Sequence, residues 1–205
     1  MKGIKKLDYA FYRRADVLAI ARDLIGKLLV TRVDQVLTSG RIVETEAYAG
    51  PSDKASHAYG NRKSTRTGVM YREGGCAYVY LCYGLHHLFN VVTNREGIPH
   101  AVLIRALEPV SGLDKMAERT GKKSGDISLT RGPGNLSRAL GLRHGMSGTD
   151  LCGQDIFIAD DGTAVPPGSI LATPRIGVGY AAEDAALPYR FIWQGNKYVS
   201  GKISG

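Results

Sequence analysis

The chain has 205 residues, 43% of them hydrophobic, enough to bury one substantial core and too few to favour several, so a single domain over 1–205 is expected. Its 27 Lys and Arg against 19 Asp and Glu leave a net charge of +8, which points to a polyanionic partner, nucleic acid before an anionic membrane. The three cysteines, Cys76, Cys82 and Cys152, show no Cys-x-x-Cys spacing, which argues against a disulfide framework and a structural zinc site and favours a reducing, cytoplasmic compartment.

The basic run Met1–Leu7 leads into Asp8, Arg13, Arg14 and Asp16 rather than an apolar stretch, so neither a signal peptide nor an anchor is expected there. No run of about 18 apolar residues occurs elsewhere, and no membrane partner is expected. Val17–Ile25 has helical periodicity, with Asp16 as N-cap and Gly26 at its end. Lys27–Val33 and Arg41–Tyr48 are β-rich and flank Asp34–Gly40, a segment with hairpin chemistry.

Ala49–Gly75 is rich in glycine and carries Lys54, Arg62, Lys63, Arg66 and Arg72 without regular periodicity. It reads as functional loop on a rigid frame. Three further strands are expected at Cys76–Cys82, Leu88–Thr93 and Ala101–Leu107, with a turn at Asn94–Gly97. Leu113–Arg119 and Asn135–Leu140 read as helices around a polar loop, Thr120–Gly125, that holds Lys122 and Lys123. Short strands at Asp155–Ala159, Arg175–Val178 and Tyr189–Trp193 complete an α+β fold: a curved, largely antiparallel sheet flanked by helices, with a protruding tyrosine-bearing hairpin.

Three constellations suggest chemistry. Strand alternation in Arg41–Tyr48 places Glu44, Glu46 and Tyr48 on one face and Val43, Thr45 and Ala47 on the other. In Ala77–Tyr83, Tyr78 and Tyr80 share a face, while Tyr83 falls on the other or on the turn begun by Gly84. Arg105 interrupts the apolar run Ala101–Leu107 and needs an anionic partner if buried, for which Glu46 and Glu108 are the obvious candidates. His86 and His87 are adjacent and would point to opposite faces of a strand, so no metal or other cofactor is expected.

Taken together, Arg41–Tyr48, Gly50-Pro51, His57, Ala77–Gly84, Asn90, Leu103–Pro109, Gly132-Pro133 and Arg175–Gly179 resemble the alkyladenine (methylpurine, or 3-methyladenine type II) DNA glycosylase family, in family order and over nearly the whole chain. The resemblance implies a base-excision-repair enzyme that flips an alkylated or deaminated purine out of double-stranded DNA and hydrolyses its N-glycosidic bond. It further implies Glu46 as the base that activates water, with Arg105 and the backbone carbonyl of Ile176 holding that water. Tyr48, His57 and Tyr80 would wall the base pocket, Asn90 would reject guanine, and Tyr83 would intercalate. Arg62, Lys63 and Arg66 would meet the DNA backbone. No lysine lies in the matched motifs, so an imine intermediate is not expected, and a monomer is the default. A non-catalytic nucleic-acid-binding module, or a hydrolase of free nucleosides, would use some of the same features. The first leaves Glu46 without a task; the second leaves Tyr83 and the basic charge without one.

Overall fold

A computed structural model describes residues 3–201, so Met1 and Lys2 of the N-terminal basic run lie outside the described residues. In chain order the elements are β1 (Lys5–Lys6), α1 (Tyr9–Tyr12), α2 (Val17–Asp23), β2 (Leu28–Val33), β3 (Val36–Tyr48), β4 (Ala77–Cys82), β5 (His86–Thr93), β6 (His100–Ser111), α3 (Leu113–Thr120), α4 (Pro133–Leu140), β7 (Ile156–Asp160), β8 (Ile170–Thr173) and β9 (Arg190–Trp193). The strands form one sheet in the order β1-β7-β2-β3-β6-β5-β4, and β9 links β3 to β8. Every pairing is antiparallel, giving the expected α+β class. No helix among the described residues is long and apolar enough to cross a membrane.

α2 and α3 start where expected, whereas α4 begins at Pro133 rather than Asn135. Asp16 caps α2 by accepting from the N–H groups of Leu18 and Ala19 at 2.9 and 3.0 Å, which satisfies donors that have no partner within the helix. The hairpin of β2 and β3 is tighter than expected. Its turn is Asp34-Gln35, both in the left-handed region (φ 53° and 60°), and Val36–Gly40 is strand rather than loop. At Gly40 a side chain would stand 2.8 Å from the Leu107 Cβ, so glycine is what lets β3 lie against β6 there.

One face of the sheet packs on the helices. Ile20 and Ala21 of α2, Leu24 just after it, and Leu136, Ala139 and Leu140 of α4 meet Ile42, Val79, Phe89, Val91, Ile104 and Leu107 of the sheet. Each fully buried aliphatic side chain contributes about 1.5–3 kcal/mol by leaving water. Ile20→Ala, at a completely buried position, would cost about 2–5 kcal/mol through the cavity it opens. With this face filled, the opposite face is free to carry polar groups.

Two expectations about strands are corrected. Register shifts between Ile42 and Glu44, and again before Thr45, interrupt β3 where it pairs with β6. Val43 therefore packs with Ala106, Ile192 and Val199, away from Ala47 in the main core and from Thr45, whose hydroxyl donates to the α2 carbonyl of Ala21. Bulges of this kind re-aim side chains, and here the result gathers Glu44 and Glu46 around Arg105. Arg175–Val178 is not a strand; β8 ends at Thr173. The Arg175 side chain and the Ile176 N–H are engaged by carboxylates, and Gly177 turns with φ 76°, so this backbone cannot run along a ladder.

Candidate active site

The site lies on the sheet face away from the helices, where β3, β6 and the segment after β8 converge. Glu46 is fully buried, yet its carboxylate is well supplied with donors. Oε1 accepts the Ile176 N–H at 2.8 Å and lies 3.3 Å from Arg105 Nη1. Oε2 accepts the Tyr48 hydroxyl at 2.8 Å. The contact from Ile176 is thus through its N–H, whereas the expectation concerned its carbonyl.

Arg105 has a second acidic partner, and it is not Glu108. Its Nε donates to Glu44 Oε1 at 3.1 Å, while Glu108 accepts from the Asn196 amide. Glu44 also accepts from Arg190 Nε at 2.6 Å and from the Ser200 N–H at 2.7 Å. The four side chains form an alternating row, Arg190, Glu44, Arg105 and Glu46, all at most 10% exposed. Burial alone would lower the Arg105 pKa, but Glu46 and Glu44 outweigh it and hold the guanidinium above its ordinary value. The row carries two charges of each sign, which is what makes its burial tolerable.

Beside this row sits a small aromatic cavity, walled by Tyr48, His57, Tyr80 and Tyr180, with Asn90 and Met70 behind. A wider outer cleft continues from it past Arg105 and Ile176 to Arg62, Arg66 and Tyr83. The His57 and Tyr80 rings meet edge to face at 4.7 Å, and His57 Nδ1 lies 2.9 Å from the Tyr78 hydroxyl. Burial, then the nearby Arg66 charge, pull the His57 pKa down to about 4, so the imidazole is neutral at neutral pH. Burial and then the Glu46 carboxylate hold the Tyr48 phenol well above its ordinary value, which keeps it a donor to Glu46. Asn90 is 3% exposed and donates through Nδ2 to the carbonyls of Tyr78 and Leu88 at 3.1 and 3.4 Å, which fixes it at the cavity floor.

Tyr83 stands apart from the other tyrosines. It occupies the β4–β5 turn with Gly84, at φ 50° and 70°, and is 91% exposed. A bulky residue with positive φ is an outlier that the surrounding structure must enforce; here Cys82 pairs with His86 across the turn. Arg62, Lys63 and Arg66 are all exposed. Arg62 and Arg66 line the outer cleft, whereas the Lys63 ammonium sits 5.2 Å over the Tyr71 ring. Lys122 is used internally, on the Ser128 carbonyl and the Asn135 amide oxygen.

Several participants gave no signal that the residue pattern could carry. Asp53 and Arg175 form a buried bidentate pair at 2.5 and 2.8 Å that joins the loop after β3 to the segment after β8. The Arg175 guanidinium also lies 4.9 Å from the Tyr48 ring centroid. Tyr180 borders both the cavity and the cleft and donates to the Ala55 carbonyl at 3.0 Å. It sits in a turn containing Ala182 at φ 50°. Arg190 borders an apolar run, Phe191-Ile192-Trp193, much as Arg105 interrupts one, and Arg175 stood in the motif Arg175–Gly179 without a role of its own.

A buried carboxylate flanked by arginine thus opens on an aromatic cavity near an exposed tyrosine, and the chain carrying them is similar in sequence to known proteins. Residues 10–197 match the family model described as methylpurine-DNA glycosylase (MPG). The chain belongs to the methylpurine-DNA glycosylase family. A relative from Desulfitobacterium hafniense, provisionally named a 3-methyladenine DNA glycosylase, is 44% identical over 97% of this chain and 100% of its own length. One from Chlamydia felis with the same name is 46% identical over 91% of this chain and 95% of its own, and one from Clostridium novyi, again so named, is 41% identical over 97% and 100%. Membership places the chain among DNA repair glycosylases, hydrolases that act on N-glycosyl bonds.

Proposed function

We propose that this methylpurine-DNA glycosylase removes alkylated or deaminated purines from double-stranded DNA by direct attack of water, leaving an intact strand with an abasic site. The observation that carries the reading is the buried Glu46 carboxylate, set between Arg105 and the aromatic cavity. A purine within the stack cannot expose its sugar carbon, so it must swing out at a cost of a few kcal/mol. Tyr83 at the exposed turn fills the gap and offsets part of that cost. The extruded base enters between Tyr48 on one side and His57 and Tyr80 on the other, where Asn90 meets the exocyclic amine of guanine.

Glu46 then takes a proton from a water molecule whose oxygen bonds to the sugar C1′. Arg105 and the Ile176 backbone orient that water. The C1′–N bond breaks and its electron pair leaves with the base, so a cationic alkylpurine departs neutral. The carboxylate also faces the positive charge that develops on the sugar, the same electrostatic problem glycosidases meet. Cationic lesions gain about 0.5–2 kcal/mol over aromatic faces. Arg175 already lies over Tyr48 and Arg66 over Tyr80 at 5.8 Å, which reduces that preference and leaves room for neutral deaminated bases.

Lys54 lines the outer cleft, but its ammonium is paired with Glu183 at 2.5 Å, and that hydrogen bond raises its pKa. A protonated amine is a poor nucleophile, which supports water rather than lysine as the attacking group. The decisive variant is Glu46→Gln. Its carbonyl can accept from Ile176 and its amide can donate to the Tyr48 oxygen, so the fold is kept while the base is lost. Excision of a defined lesion should fall by about 10²-fold or more with lesion-duplex binding retained. Near-normal turnover would remove Glu46 from the role, and a borohydride-trapped enzyme–DNA adduct would remove water.

A further inference from the structure

The β4–β5 hairpin separates two basic clefts, of which the proposed reaction uses only one. On one flank, Leu81, Cys82 and Tyr83 border the outer cleft with Arg62 and Arg66. On the other, Leu85, His86 and His87 border a groove completed by Arg119, Arg138 and Arg143, with no acidic side chain in its lining. The hairpin is packed against α4 there, since a Cβ on Gly134 would stand 2.9 Å from the His86 ring. The groove therefore keeps a fixed position relative to Tyr83.

Its arginines divide by what they do. Arg119 is committed to the fold, donating to the carbonyls of Val33 and Ala139. Arg138 is exposed and anchored through Nε to the Arg119 carbonyl at 2.7 Å, which leaves both terminal nitrogens without a hydrogen bond among the described residues. Arg143 has only Asp34 nearby, at 4.0 Å, with both side chains about two-thirds exposed. Such a pair contributes little to stability, so neither cation is explained by the fold.

We propose that this groove binds backbone phosphates of the undamaged strand, the one opposite the flipped nucleotide. The inference rests on the reading of Tyr83 as a wedge. A side chain driven into the minor groove has one sugar-phosphate backbone on each side of it. The damaged strand must lie on the cavity side with Arg62 and Arg66, so the other strand falls on the flank of Leu85, His86, Arg138 and Arg143. Arginine suits this task because its planar fork holds phosphate oxygens bidentately.

The test compares the full-length wild-type protein with an Arg138→Ala/Arg143→Ala variant, checked for folding by thermal melting. Binding to a duplex is measured as salt concentration is raised, with neutral methylphosphonate linkages placed in one strand or the other. Each lost phosphate contact lowers the slope of log affinity against log salt by about 0.9, so the variant should lose close to two units. Neutral linkages opposite the lesion should weaken wild type and leave the variant unaffected, while linkages in the lesion strand weaken both. An unchanged salt slope, or a variant that becomes insensitive to neutralisation of the lesion strand instead, overturns the assignment. A wild-type protein that shows this strand dependence but excises no base would support the groove and refute the proposed reaction.

Discussion

Glu44 offers the sharpest separation between holding the site together and performing its chemistry. It is fully buried and is the described carboxylate bonded to Arg190, itself 2% exposed. Ser200 and the two guanidinium groups bond different oxygens of Glu44, so in Glu44→Gln the one amide oxygen serves either the Ser200 N–H or the guanidinium groups, and the new NH2 faces the other. Arg105 retains Glu46; Arg190 is left a buried charge without a counter-ion. Breaking such a pair from one side costs about 3–5 kcal/mol, a large part of a typical total of about 5–15 kcal/mol. For a chain of this size the melting temperature should fall by about 6–20 °C, at about 2–4 °C per kcal/mol. Urea unfolding can be followed through Trp193, the one tryptophan, which lies on β9 with Arg190. Because the loss stems from an orphaned cation, Glu44→Leu with Arg190→Met should recover much of it. A loss below about 1 kcal/mol in the single variant, or no recovery in the double one, would refute the reasoning.

His57 makes stability depend on pH. Its folded pKa is lowered to about 4 from 6.5, so as pH falls the unfolded chain takes up this proton first, and stability is lost between about 6.5 and 4. The loss reaches about 3 kcal/mol. His57→Gln should flatten that stretch of the profile, leaving the smaller dependence from His100, whose pKa burial also lowers; an unchanged profile would contradict the assignment. Among the cysteines, Cys82 lines the outer cleft, whereas burial pushes the Cys76 thiol up to about 11. Iodoacetamide at neutral pH should label Cys82, with protection by lesion duplex, and reach Cys76 only in denaturant; equal labelling of the two in the folded protein would count against the cavity geometry. Tyr180→Ala should reduce excision efficiency about 5- to 150-fold if its ring stacks on the extruded nucleotide, at about 1–3 kcal/mol, while Tyr180→Phe should retain most activity. Equal losses in both would assign the effect to the hydrogen bond with Ala55 instead.

Much of this architecture was legible along the chain because its signals are local. The Asp16 cap, the period-two pattern of Ala77–Cys82 and the apolar run around Arg105 each report on a few neighbouring residues. The motifs that resemble the glycosylase family likewise named Glu46, Tyr48, His57, Tyr80, Asn90, Arg105 and Ile176, which the structure brings into one neighbourhood. Local patterns supplied partners only in part: of the two proposed for Arg105, Glu46 is one and Glu108 is not. Glu44, the other partner of Arg105, was visible only as one of two carboxylates on a strand face.

The sequence by itself determined the elements and the kinds of side chain available, because strand and helix periodicities and turn chemistry act over a few residues. Only the tertiary structure decided that Arg105 shares Glu44 with Arg190, that Asp53 and Arg175 clamp two distant loops, and that Arg175–Val178 surrenders its strand to serve Glu46. Buried charges find counter-ions in space rather than along the chain, since desolvation penalises each one wherever its partner falls in sequence. A shift of register in β3 is enough to settle which partner that is.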